Sequence, residues 1–203
     1  MNDLPQAWAQ WNAALAEAAT KVETLTEGRP ASERAEGYRF LTRITAAMME
    51  FQMEQAADWP SFVQVMSPAR KFYVDNPDTI YHRATLDPRF GYRVRGRRGD
   101  ELYLSFCLYG LRGRRNAILA NTFDDELHFA EDGTFELVLS TERPAVAVNW
   151  LPLDGNARTL VTRQYFADRT QRPAELQIET LDPQPPSAAP DAVSYTHLRA
   201  HET

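Results

Sequence analysis

The hydrophobic positions near the start of the chain recur at three- and four-residue steps, which is the period of an amphipathic helix. This pattern predicts a helix over 4–26, and Gly28 stops it. The hydrophobic stripe consists of Trp8, Trp11, Leu15, Ala18, Val22 and Leu25. A second stripe predicts a helix over 32–57: Tyr38, Leu41, Ile44, Met48 and Phe51. A third, short helix is predicted over 61–66.

After residue 73 the period changes to that of β-strands, with short runs of β-branched and aromatic residues between turn residues. The predicted strands cover 79–86, 91–95, 101–109, 116–122, 126–130, 134–141, 158–165 and 175–181. Asp132-Gly133 is a hairpin signal. Because long helical crossovers are absent, the sheets should be mainly antiparallel. The prediction is an α+β chain, with a helical region over 1–72 and a jelly-roll-like β-sandwich over 73–181.

Composition fits a globular protein of 203 residues, with 25% charged residues and a net charge of −6. The charge is uneven, since 83–115 holds nine arginines and three acids. The acidic total argues against a dedicated nucleic-acid binder. No apolar run reaches the roughly 20 residues of a membrane helix, and no secretory signal is apparent. The single cysteine, Cys107, excludes an internal disulfide and favours a cytoplasmic protein; it is interpreted as a buried hydrophobe rather than a nucleophile.

The densest polar stretch, DNPDTIYHR, lies at the start of the first long predicted strand. Asp78, Tyr81 and His82 are candidate catalytic residues, and the ordinary pKa of an imidazole leads us to expect His82 to titrate near neutrality. Strand alternation points Tyr81 and His82 to opposite faces, so one pocket can hold at most one of them. The structural alternative is an Asx-rich turn that holds the entry to the strand.

A stripe of arginines follows: Arg93, Arg95 and Arg97. At a spacing of two on a strand these side chains share one face, while Tyr92 and Val94 face the core. Guanidinium groups suit a carboxylate, sulfate or phosphate, so the stripe is a candidate site for a small anion. The alternative is a solvated outer face whose arginines pair with acids of the chain.

The segment Asn149-Trp150-Leu151-Pro152 is a third candidate, in which Asn149 and Trp150 contact a ligand. The alternative is structural, with Trp150 closing one end of the sandwich and Asn149 forming a local turn bond.

No phosphate-binding loop, dinucleotide glycine pattern, nucleophile elbow or cysteine cluster occurs. The sequence therefore predicts no cofactor and no metal.

Three stretches together resemble a known family: residues 75–99, 132–140 and 149–181. The most specific part is Asn-Trp-Leu-Pro followed by a strand with Arg-x-Tyr. The likeness is to bacterial proteins of domain-of-unknown-function family twelve-fourteen. It implies a helical part leading into a β-sandwich. It implies no activity and carries over no catalytic residue. Members of that family are usually longer, so a C-terminal portion is expected to be missing here.

The chain ends in VSYTHLRAHET, after a Pro/Ala-rich linker predicted over 182–192. His197 and His201 lie four apart, as two zinc ligands on a helix would. However, residues 193–203 resemble the translation, in one reading frame, of a transposase adapter used for sequencing libraries. We therefore interpret the tail as an artefact and exclude it from reasoning about the fold.

Two functional hypotheses follow. The preferred one is an uncharacterised cytoplasmic bacterial β-sandwich that binds a small, anionic or carbohydrate-like ligand or a partner. The alternative is a hydrolase or lyase that acts on a carbohydrate or lipid-like substrate near Asp78, Tyr81 and His82. A third reading is an interaction module whose apolar edge meets a missing C-terminal part. No oligomeric state is predicted.

Overall fold

The computed structural model describes residues 4–53, 55–67, 70–71 and 75–181. These residues fall into two compact units. The helical unit contains 4–53 with 70–71, and the β unit contains 55–67 with 75–181.

The helical unit contains two helices, α1 (Leu4–Leu25) and α2 (Ala31–Met53). Gly28 takes the positive φ of 71° that lets the chain turn after α1. Tyr38 of α2 donates to the Glu23 carboxylate of α1 at 2.6 Å, which joins the two helices. Two helices were predicted here, and both are present. The second ends at Met53, before the predicted end at 57. Neither has the combination of length and apolar content that crossing a bilayer requires.

The β unit contains nine strands in two sheets. Sheet A is five-stranded in the order β1-β2-β8-β4-β5, and sheet B is four-stranded in the order β7-β6-β3-β9. All neighbouring strands are antiparallel except β6 and β7. The strands are β1 (Val63–Gln64), β2 (Thr79–Thr85), β3 (Tyr92–Arg97), β4 (Tyr103–Arg112), β5 (Arg115–Phe123), β6 (Thr134–Ser140), β7 (Asn149–Pro152), β8 (Ala157–Tyr165) and β9 (Glu175–Thr180). The α+β prediction with mainly antiparallel sheets is confirmed.

The two sheets share one hydrophobic core. Side chains alternate between the faces of a strand, so every second residue points into this core. Sheet A contributes Leu104, Phe106, Leu108 and Leu160, and sheet B contributes Tyr92, Val94, Leu137 and Leu139. We call the core-lining side of each sheet its inner face and the opposite side its outer face.

Two local predictions were wrong. The segment 61–66 is not a helix, because Val63–Gln64 forms β1 and pairs with β2. The segment 126–130 is not a strand. Its first residue belongs to a 3-10 helix, Asp124–Glu126, and the Glu126 carboxylate accepts a hydrogen bond from the backbone N–H of Phe123 at 3.0 Å. In both places a contact that periodicity does not encode decides the local structure.

Candidate functional site

The arginine stripe lies on the outer face of sheet B, as its spacing predicts, while Tyr92 and Val94 are fully buried. Its members are Arg93, Arg95 and Arg97. The neighbouring strands provide the carboxylates of Glu136 and Glu179, each within 3.5 Å of both Arg93 and Arg95. Asp132 pairs with the last arginine at 3.0 Å. The stripe is thus neutralised by acids of the chain, which matches the structural alternative.

The three candidate catalytic residues do not come together. Asp78 is exposed in a turn, where its backbone N–H donates to the side chain of Asn76 at 3.0 Å. Tyr81 lies on the outer face of sheet A, opposite Arg163. His82 lies on the inner face, opposite Thr162, and burial lowers the pKa of its imidazole. This arrangement provides no shared pocket for acid–base chemistry by the three side chains.

Asn149 clamps β7 to its surroundings. It is buried, and its side-chain oxygen accepts from the His128 N–H at 2.8 Å. Its side-chain nitrogen donates to the His128 carbonyl at 3.0 Å and to the Glu136 carbonyl at 2.9 Å. Trp150 donates its indole N–H to the Ser140 hydroxyl at 3.0 Å. These bonds link segments distant in the chain, rather than forming the local turn bond that the sequence suggested.

The outer face of sheet A is a candidate site that the sequence did not reveal. Twelve positions of its strands β2, β8 and β4 lie on this face by their pairing, and none is Asp or Glu. They are Thr79, Tyr81, Arg83, Thr85, Tyr103, Ser105, Cys107, Tyr109, Thr159, Val161, Arg163 and Tyr165. Both faces of β8 carry hydroxyl-bearing and long polar side chains. The alternation of residues along β8 therefore does not predict which face lines the core and which is the outer face.

Arg163 is the central cation of this face. Its guanidinium donates to the Tyr109 hydroxyl at 2.6 Å and lies 5.9 Å from the centre of that ring. Desolvation lowers the pKa of Arg163, but hydrogen bonds to Cys107 and Tyr109 outweigh it, so the net pKa is raised. Arg163 therefore stays protonated. Among the described residues no carboxylate lies within ion-pair distance of it.

Hydroxyl groups surround this guanidinium. Ser105 is directly across from Arg163 in the pairing of β4 with β8. It is 2% exposed, and its hydroxyl finds no hydrogen-bond partner in the described part of the chain. Tyr103 and Tyr165 lie at one end of the face with ring centres 5.0 Å apart. We call Tyr81, Tyr103, Ser105, Tyr109 and Arg163 the Arg163 face.

Within the ranges that the structure describes, no three His, Cys, Asp or Glu side chains cluster so that they could hold a metal ion. His197 and His201, the pair with zinc-like spacing, lie outside those ranges. Cys107 is buried and forms no disulfide.

The comparisons with known proteins give similarity to solved bacterial structures and assign no function to this chain. No family model and no curated protein matches the chain. The crystal structure of an uncharacterised protein from Burkholderia cenocepacia is similar, with 32% identity and a TM-score of 0.84, over 96% of this chain and 56% of that one. A crystal structure of a protein from Vibrio parahaemolyticus has 16% identity and a TM-score of 0.38, over 84% of this chain and 42% of that one. The chain thus spans about half the length of these two bacterial proteins.

Proposed function

We propose that the β unit binds a small anionic, sugar-like ligand on the Arg163 face of sheet A. The observation that carries this proposal is the difference between two sets of arginines. Those of sheet B have carboxylate partners within 3.5 Å. Arg163, by contrast, donates to the Tyr109 hydroxyl and pairs with no carboxylate among the described residues, on a face whose paired positions contain no acid.

The charge argument favours Arg163 over the stripe. Withdrawing a guanidinium from water costs free energy, which a bound carboxylate or phosphate offsets when it approaches. The planar guanidinium also forms paired hydrogen bonds with such groups. An anion at Arg93 or Arg95 would instead meet the negative charges of Glu136 and Glu179.

The neutral groups around Arg163 favour a ligand that carries hydroxyls as well as a charge. Ser105 offers a buried hydroxyl without a partner in the described residues, directly across the strand pair. Tyrosine side chains offer a hydroxyl and an apolar ring, which suit the hydroxyl groups and the C–H faces of a sugar. A sugar acid or sugar phosphate combines these features, whereas inorganic sulfate uses the guanidinium alone.

Two variants test the site in the full chain. Arg163→Gln removes the charge from sheet A, and Arg95→Gln is the matched control on sheet B. Circular dichroism first establishes that both variants are folded. Glucuronate, galacturonate, glucose 6-phosphate, sulfate and neutral glucose are then tested for a rise in the melting temperature.

We expect the charged sugars to stabilise the wild type and Arg95→Gln, but not Arg163→Gln. A ligand at 100 times its Kd adds about 2.7 kcal/mol to the free energy of unfolding, which a thermal shift detects easily. Retained binding by Arg163→Gln, or no shift of the wild type with any ligand, refutes the proposal. Loss of binding only in Arg95→Gln would return the site to the arginine stripe.

We also propose the wider assignment to domain-of-unknown-function family twelve-fourteen, with a jelly-roll-like β-sandwich and a cytoplasmic location. The similar bacterial structure and the paired sheets support the first two, and the single cysteine supports the third. The proposed regions are 1–72, 73–181, a linker over 182–192 and an artefactual tail over 193–203. Sequencing genomic DNA past codon 192 tests the tail: a natural reading frame that encodes VSYTHLRAHET would refute it.

A further inference from the structure

Three neighbouring polar side chains interrupt the apolar inner face of sheet A: His82, Thr162 and Gln164. His82 and Thr162 are directly opposite each other in the pairing of β2 with β8. Gln164 follows Thr162 on the same face of β8. Cross-strand partners have Cβ atoms about 5 Å apart and diagonal neighbours about 7 Å apart, so His82 lies beside Thr162 and within side-chain reach of Gln164.

Each of the three side chains has a buried polar atom that no described residue satisfies: His82 Nδ1, Thr162 Oγ1 and Gln164 Nε2. Thr162 and Gln164 are both 0% exposed. The other end of the Gln164 amide is held, since its oxygen accepts from the Ala174 N–H at 2.7 Å. This bond fixes the amide and leaves its nitrogen as a donor inside the core.

Unpartnered buried groups rarely cluster in this way in folded proteins, where an ordered water usually bonds to such atoms. A buried water forms about three hydrogen bonds, and these side chains offer that number of groups. Gln164 supplies a donor, Thr162 a group that both donates and accepts, and His82 an imidazole. The ring of Phe62 lies 6.4 Å from the imidazole in an edge-on arrangement, and it supplies an apolar wall.

We propose that His82, Thr162 and Gln164 form an internal polar site between the sheets that binds one water molecule. The water bridges β2 and β8 from the core side. The site is independent of the Arg163 face, which lies on the other side of the same sheet. It adds a hydrogen-bonded link at a place where side-chain packing alone would leave polar atoms exposed to hydrocarbon.

The direction in which one substitution changes the urea midpoint distinguishes a hydrated site from an empty one. Thr162→Val keeps the side-chain shape and removes only the hydroxyl. In a hydrated site this change removes a bond to the water, so the urea midpoint falls. In an empty site it removes an unsatisfied group, so the midpoint stays constant or rises. Thr122→Val is the control, because the Thr122 hydroxyl bonds to the Glu126 carboxylate at 3.1 Å.

A double-mutant cycle tests whether Thr162 and Gln164 bind the same water molecule. We expect Thr162→Val to lower the urea midpoint about as much as Thr122→Val does. We also expect Thr162→Val combined with Gln164→Met to lower it by less than the sum of the single effects. A constant or higher midpoint for Thr162→Val overturns the proposal, and so does strict additivity. A crystal structure without solvent density about 3 Å from Thr162 Oγ1 and Gln164 Nε2 overturns it as well.

Discussion

Replacing Asn149 by alanine separates a structural role for this side chain from the ligand-binding role that the sequence allowed. The side chain forms three hydrogen bonds to backbone groups of His128 and Glu136, between 2.8 and 3.0 Å long. It is 5% exposed, so water cannot readily replace the amide. A hydrogen bond contributes about 1 kcal/mol to stability, so Asn149→Ala should lower the free energy of unfolding by about 3 kcal/mol.

Urea unfolding followed by circular dichroism measures this loss. With a slope of about 2 kcal/mol per molar urea, the midpoint should fall by about 1.5 M. Asn149→Asp is a second variant, because it keeps the acceptor for the His128 N–H but turns an oxygen toward both carbonyls. Asn149→Asp should lower the free energy of unfolding by at least the contribution of the two hydrogen bonds that the Asn149 amide donates. Asn156→Ala is the control, since that side chain is exposed and its bond among the described residues is to nearby Asp154.

The control should change stability by less than about 0.5 kcal/mol. A loss below about 1 kcal/mol in Asn149→Ala would show that the three hydrogen bonds do not stabilise β7, and it would refute the structural role of Asn149. If the same variant kept its stability but lost binding of a sugar acid, the ligand-binding interpretation would be the correct one.

Two further predictions concern charged and titratable groups. Glu101→Gln should lower the free energy of unfolding by about 2 kcal/mol, because the fully buried carboxylate pairs with Arg98 at 3.3 Å and accepts from the Gly99 N–H at 2.9 Å. Urea unfolding compares this variant with the exposed control Glu142→Gln, and equal midpoints for the two would contradict the prediction. Burial lowers the pKa of His82 below its ordinary value of 6.5, so the unfolded chain binds more protons below that pH and stability falls as the pH drops toward the folded pKa. His82→Gln should flatten the fall in urea midpoint between about pH 7.5 and pH 5.5, and an unchanged pH dependence would count against this reasoning.

The parts of the fold that follow from local periodicity were predictable. In β3 a two-residue alternation placed Tyr92 and Val94 inside, and both are fully buried. The turn at Asp132-Gly133 also follows from local chemistry, because Gly133 has a φ of 80° and the Asp132 carboxylate accepts from the Thr134 N–H at 3.1 Å. It does not close the predicted hairpin, because 126–130 is not a strand and β6 pairs with β3 and β7 instead.

Features that depend on distant partners were not predictable. Val63–Gln64 is too short to show a strand pattern, and it is a strand because β2 lies beside it. The parallel pairing of Asn149–Pro152 with β6 leaves no local signature either. The same reason explains the site: Arg163 and Ser105 are separated in the sequence, and only the register of β4 with β8 makes them neighbours.

The order of strands in the sheets has a consequence for how the protein is made. β8 lies between β2 and β4 in sheet A, and β9 completes sheet B beside β3. Until Ala157–Tyr165 has left the ribosome, β2 and β4 lack their shared neighbour, so both expose strand edges that can pair with other chains. Partners so distant in sequence also make folding slow, because long loops must close before the contacts form. Sheet A can therefore be completed only after β8 has been synthesised, and until then the exposed edges of β2 and β4 make the nascent chain prone to aggregation.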